Sequence, residues 1–76
     1  MENSAAQALV DEATFDFTVG DAEAALSKLQ AAIETDPACF AAWHAMAEIE
    51  FDRGDYAAAL EAGTIAAGLD DENVHI

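Results

Sequence analysis

Apolar residues recur along this chain at the three- and four-residue spacing that is typical of amphipathic helices. Four stretches show this spacing, and segments containing Gly-Asp or Asp-Pro separate them. Gly20 and Gly54 favour helix ends because glycine readily adopts the left-handed conformation found there, and the aspartate that follows each can cap the next helix. Asp36-Pro37 ends the second stretch, since the residue before proline avoids helical angles. The pattern predicts an all-α fold of four helices, the last ending before the acidic segment 70–73.

The two halves of the chain are similar when one is shifted by 34 positions against the other. Besides matching alanines, the shift pairs Phe17 with Phe51, Gly20 with Gly54, Asp21 with Asp55, Leu26 with Leu60 and Asp36 with Asp70. A fixed period of this length indicates a repeat architecture. We therefore predict one domain over 1–76, built from two helix-turn-helix repeats: about 6–39 and about 40–73, with a short tail over 74–76.

The period and the small-residue positions resemble the tetratricopeptide repeat (TPR). In the second copy the resemblance rests on Trp43, Met46, Ala47, Gly54-Asp55-Tyr56, Ala59 and Ala66, and in the first on Leu9, Ala13, Gly20-Asp21, Ala25, Ala32 and Pro37. It implies a TPR-like α-solenoid that holds another protein in a concave groove and is not itself catalytic. Two departures stand out. The aromatic residue late in each first helix is one position further on, and Asp71 replaces the closing proline.

The resemblance also implies which residues would line that groove. They are Gln7, Val10, Thr14, Phe17 and Thr18 from the first repeat, and Ala41, His44, Glu48, Phe51 and Asp52 from the second. The family's carboxylate clamp uses Lys, Arg and Asn, and none of these is present at the groove positions. An acidic, partly apolar groove favours a basic or apolar peptide or helix of a partner protein. In the alternative reading, both phenylalanines pack inside the hairpins and the acids are solvated.

A second candidate surface lies on the last helix, where Leu29 and Ile33 of the first repeat are replaced by Gly63 and Ala67. Two repeats leave a short core, so we expect self-association, giving a homodimer or another homo-oligomer. The face predicted for this contact consists of Leu60, Gly63, Ile65 and Ala67. Two alternatives remain open: a terminal surface that faces solvent, and a chain that is part of a longer repeat protein.

Charge excludes several partner classes. Sixteen acidic residues against Lys28 and Arg53 give a net charge of −14. Nucleic-acid binding through phosphates needs many basic residues, and so does a membrane-surface helix. We therefore expect neither a nucleic-acid nor a membrane partner. The acidity fits salt adaptation, a basic protein partner, or an acidic decoy or regulator that binds a basic, for example DNA-binding, protein electrostatically.

The sequence offers little chemistry beyond binding. His44 and Glu48 lie one helical turn apart, but a metal site needs at least one further ligand and none is evident. No nucleophile, base and orienting group occur in a usable set, so we expect no enzyme activity, no metal and no cofactor. A single cysteine, Cys39, and the lack of a signal-peptide pattern favour the cytoplasm.

Overall fold

The computed structural model describes residues 4–73, with side chains described over 5–69. Over that range the chain forms four helices and no strand: α1 (Ser4–Thr18), α2 (Ala22–Thr35), α3 (Phe40–Arg53) and α4 (Tyr56–Asn73). α1 packs against α2, and α3 packs against α4, which gives two successive helical hairpins. The predicted all-α fold with two helix-turn-helix units is confirmed. The proposed tail over 74–76 lies outside the described residues.

The turns within the two hairpins are alike down to their hydrogen bonds. Gly20 and Gly54 adopt φ angles of +93° and +87°. The N–H of the following aspartate donates to the carbonyl five residues earlier, at 2.8 Å for Asp21 and 2.9 Å for Asp55. Each aspartate side chain then accepts from the backbone N–H three residues later, at 3.1 Å and 3.3 Å. Helix end and helix cap are thus repeated at a 34-residue offset.

A short joint over 36–39 connects the hairpins. α2 ends at Thr35, as the following Asp36-Pro37 predicts. The N–H of Asp36 donates to the last turn of α2 at 2.8 Å, and its side chain accepts from the N–H of Ala38 at 3.2 Å. The indole N–H of Trp43 donates to the carbonyl of Pro37 at 2.8 Å. These bonds fix α3 to the joint that precedes it.

The core lies where α3 packs on the first hairpin. α3 contacts both α1 and α2, whereas over the described residues α4 contacts α3 alone. The buried residues are mostly alanine, and Leu29 is the largest fully buried side chain. The residue 34 positions after Leu29 is Gly63. One face of the first hairpin is therefore covered by α3, and no described element covers the corresponding face of the second.

α4 is longer than predicted. It continues to Asn73, through the segment for which the sequence predicted a polar loop. Neither glycine nor proline occurs between positions 69 and 73. Acidic residues near a helix C-terminus cost only about 0.3–1 kcal/mol each through the helix dipole. That penalty is too small to end a helix that contains no breaker, so the predicted end was wrong.

Candidate partner-binding groove

A groove of about 640 Å³ opens between the two helices of the second hairpin. α3 contributes four of its lining residues and α4 contributes three: His44, Ala47, Glu48, Phe51, Tyr56, Ala59 and Leu60. We call this the α3–α4 groove. Two of the lining residues, Ala47 and Ala59, are small. The larger aromatic and aliphatic side chains of Phe51, Tyr56 and Leu60 make the lining mainly apolar.

The apolar walls of the α3–α4 groove are open to solvent. Phe51, Tyr56 and Leu60 are 65%, 63% and 73% exposed. The rings of Phe51 and Tyr56 contact each other in a tilted arrangement, with centroids 5.2 Å apart. Large apolar side chains that are this exposed and adjacent form the kind of patch that marks interaction sites in folded proteins. The reading that Phe51 packs inside its hairpin was therefore wrong.

Negative charge borders the α3–α4 groove. Glu48 lines it, and Asp52 is exposed one turn further along α3. None of the seven lining residues is lysine or arginine. Arg53, at the end of α3, lies 3.7 Å from Glu50, measured from its guanidinium nitrogen to the carboxylate oxygen. A positively charged group docking beside Glu48 would therefore meet no like charge from the lining residues.

The first-repeat residues predicted for the groove are not part of it. Val10 is 6% exposed and belongs to the same core cluster as Ala42 and Ile49 of α3. Phe17 is half-buried and also packs against the core, so here the reading that the ring is internal was right. Gln7, Thr14 and Thr18 are exposed, but they do not line the α3–α4 groove. Their polar groups bond along α1: Gln7 donates to Asp11, and the threonine hydroxyls donate to carbonyls one turn earlier.

Of the second-repeat residues, His44, Glu48 and Phe51 come together as predicted neighbours on one face of α3. The His44 ring stacks on Phe40, with centroids 5.5 Å apart and an interplanar angle of 14°. Ala41 is half-buried against the core and is turned away from the groove by that packing.

The predicted self-association face divides into separate parts. Leu60 lies in the α3–α4 groove. Gly63 lies next to α3, since a Cβ built on it would be 4.0 Å from that of Ala47. Ala67 is exposed on the Leu60 side of the helix. Ile65 is roughly 140° around the helix from Leu60, because each residue turns the chain by about 100°. Its inclusion in one face with Leu60 was wrong.

Tyr56, Ala59 and Ala47 line the α3–α4 groove but were not among the residues predicted for it. These positions correspond to Ala22, Ala25 and, for Ala47, Ala13, which α3 covers or contacts in the first hairpin. Because this packing is a property of the fold, the 34-residue offset alone does not identify the three residues as groove residues.

The chain's two basic residues both lie beside equivalent carboxylates. The Lys28 ammonium lies 2.7 Å from Asp16 and 3.5 Å from Glu12, and Arg53 lies beside Glu50, which is 34 positions after Asp16. The hydrogen bond that the Lys28 ammonium donates to the Asp16 carboxylate raises the pKa of Lys28 above its ordinary value of 10.5, and the nearby negative charges act in the same direction. Both basic side chains thus pair with carboxylates of their own hairpins, and the border of the groove stays acidic.

Within the described part of the chain, no group of three or more His, Cys, Asp and Glu side chains is arranged to hold a metal ion. Over the same residues, no helix has the length and apolar character needed to cross a membrane. Cys39 is a free, half-buried cysteine at the start of α3.

No protein-family model, curated protein sequence or solved structure matches this chain. The TPR resemblance therefore stays a prediction from the sequence. What the geometry adds is a pair of similar helical hairpins, of which the second presents an apolar groove with an acidic border.

Proposed function

We propose that this protein is a non-catalytic, TPR-like interaction module that binds a partner protein at the α3–α4 groove. The observation that carries the proposal is the adjacent exposure of Phe51, Tyr56 and Leu60. Aromatic side chains in such clefts commonly dominate binding energy, and acidic groups at the border select partners by charge. A basic or apolar peptide or helix of a cytoplasmic protein fits both properties.

A double substitution tests this function. Phe51→Ser with Glu48→Gln removes one apolar wall and one border charge, and both side chains are exposed, so the fold should persist. Proteins retained by the immobilised wild-type chain should be lost from the double variant. The matched control is Phe15→Ser, which removes a phenylalanine of similar exposure, 66%, from α1. An unchanged set of retained proteins would contradict the assignment, provided circular dichroism shows equal helicity.

The salt dependence of retention separates this proposal from the electrostatic decoy. At 0.5 M NaCl the Debye length is about 4 Å, so binding that depends on net charge alone is largely lost. Binding through Phe51 and Leu60 should weaken but survive, because burial of apolar surface is not screened by salt. Complete loss for the wild-type chain would favour the decoy.

A further inference from the structure

We infer that the α3–α4 groove accepts one amphipathic helix of a partner protein, seated as α3 is seated on the first hairpin, and carrying Lys or Arg beside Glu48 and Asp52. The inference rests on the proposed function and specifies its ligand. It comes from comparing the two hairpins of the chain with each other.

Each residue of the groove has a counterpart in the first hairpin. Counting back 34 positions from the lining residues gives Val10, Ala13, Thr14, Phe17, Ala22, Ala25 and Leu26. Val10, Ala13 and Ala25 are buried, and Phe17, Ala22 and Leu26 pack against the same core cluster. Only Thr14 is exposed. The same surface therefore occurs twice in the chain, covered by a helix once and open once.

α3 shows what covers such a surface. Its buried residues are Ala42 and Ile49, and between them Ala45 and Met46 pack against the core. These positions have the spacing i, i+3, i+4 and i+7 of a single helix face. Small residues at the first two positions let the helix lie close to the hairpin, and the larger ones fill the space beside it. The α3–α4 groove repeats the surface of the first hairpin on which α3 packs. A partner helix with the same face therefore fits the groove.

A second copy of the chain is a poor occupant of the groove. The element equivalent to α3 is α1, whose corresponding residues are Ala8, Asp11, Glu12 and Phe15. Two acidic side chains thus stand where α3 has Ala45 and Met46. Docking α1 of another copy would bury or crowd these carboxylates beside Glu48, which is unfavourable for like charges. The chain's own net charge of −14 adds to this repulsion.

The charge of the expected partner follows from the positions that differ between the two surfaces. Thr14 and Thr18 of α1 correspond to Glu48 and Asp52 of α3, and all four are exposed. The threonine hydroxyls donate to carbonyls of their own helix and carry no charge. In the open copy the same border carries two carboxylates. A partner helix with Lys or Arg along one flank of its apolar face complements them.

Synthetic peptides provide the direct test. The probe is an 18-residue, helix-stapled, fluorescein-labelled peptide that keeps the four docking residues of α3 at their spacing and has Lys and Ala elsewhere. One control peptide replaces Lys by Glu, and another keeps every Lys but replaces the isoleucine by aspartate. Anisotropy titrations at 50 mM NaCl should show saturable 1:1 binding of the probe and at least tenfold weaker binding of both controls.

Variants of the protein locate the binding. The Leu60→Ser variant should bind the probe peptide at least tenfold more weakly than wild type. The Phe15→Ser variant should bind it with unchanged affinity. The His44→Val variant carries the residue found at the equivalent position of the first hairpin, Val10, and should bind the probe peptide more tightly than wild type. Equal binding of the aspartate-containing control, or a Leu60→Ser variant that binds as tightly as wild type, would overturn the inference. So would light scattering that shows a dimer dissociated by Leu60→Ser, because a second copy would then occupy the groove.

The two proposals can fail separately. If the peptide does not bind but natural proteins are still lost from the Phe51/Glu48 double variant, the groove binds a partner in another form. The inference about a helix is then wrong and the interaction function stands. If the wild-type chain and the Phe51/Glu48 double variant retain the same natural proteins, the function assigned to the groove is wrong.

Discussion

At the scale of single residues, Phe17 and Phe51 show how one side chain takes two roles. They occupy equivalent positions 34 residues apart and precede the same glycine turn. Phe17 packs against the core cluster to which Ala42 and Ile49 of α3 belong, and Phe51 is 65% exposed in the α3–α4 groove. The two phenylalanines have the same position in the repeat pattern, so periodicity could not predict that one is half-buried and the other exposed. What differs is whether another helix lies on top.

This difference predicts unequal effects on stability. Phe17→Ala should lower the free energy of unfolding by roughly 2 kcal/mol, less than the loss of a fully buried ring. Phe51→Ala should change it by no more than about 0.5 kcal/mol, as for most surface substitutions. Urea unfolding followed by circular dichroism measures both. Equal losses would mean that Phe51 is covered in solution.

Lys28 supports the first hairpin through its charge. Its pKa is raised by Asp16, so the charged form is favoured on folding. This stabilisation is fully present below the ordinary value of 10.5 and is lost as the pH rises through the higher folded pKa. Lys28→Met should therefore lower the midpoint of thermal unfolding at pH 8 and reduce its further fall above pH 10.5.

Arg53→Met is the matched control, because it removes a cation while Lys28 stays in place. The Arg53→Met variant should still lose stability above pH 10.5, because that loss comes from deprotonation of Lys28. If Lys28→Met loses as much stability as wild type between pH 8 and 11.5, the pair with Asp16 does not contribute as described.

At the scale of elements, the sequence predicted the helices well because local chemistry decides where they begin and end. Glycine followed by aspartate specifies both a left-handed helix end and the next cap, and both hairpins form the same bonds. The end of α4 was predicted wrongly because charge against the dipole is a weaker effect than the presence of a breaker.

Glycines in different conformations give a prediction at this scale. Gly68 lies inside α4, and a Cβ there would meet nothing within 4 Å, so Gly68→Ala should stabilise the protein by up to about 1 kcal/mol. Gly54 has φ near +87°, and Gly54→Ala should destabilise it by about 1–2 kcal/mol. Thermal unfolding compares the two. The same sign for both substitutions would contradict the turn geometry.

At the scale of the whole molecule, charge and shape act together. The whole sequence carries sixteen acidic residues against two basic ones, and the described part of the chain measures 38 × 27 × 18 Å. At low ionic strength the groups repel one another over distances comparable to these, and unfolding relieves that repulsion. Raising NaCl from about 10 to 300 mM shortens the Debye length from about 30 Å to less than 8 Å. The folded state should gain stability.

Thermal unfolding monitored at each salt concentration checks this. We expect the midpoint to rise steadily, and the Lys28→Met variant, which is more negative, to gain more than wild type. A midpoint that falls with salt would mean that ion pairs outweigh repulsion across the molecule.

The candidate site was only partly predictable at this scale. His44, Glu48 and Phe51 could be found from their positions on one predicted helix, and they do meet. Val10 could not be separated from them, since its burial depends on α3 crossing α1. Tyr56 and Leu60 enter from another helix, and only packing shows that they complete the groove. Patterns on a single helix therefore predicted three of the seven lining residues.

The bond from Trp43 to Pro37 has a consequence for spectroscopy. Trp43 is the only tryptophan of the chain and Tyr56 the only tyrosine. The indole is tied to the joint between the hairpins, while the phenol stands in the groove. Excitation selective for tryptophan therefore reports whether the hairpins are docked, and tyrosine absorbance reports the surroundings of the groove. The native chain carries one optical probe of its integrity and another of its occupancy, at separate wavelengths.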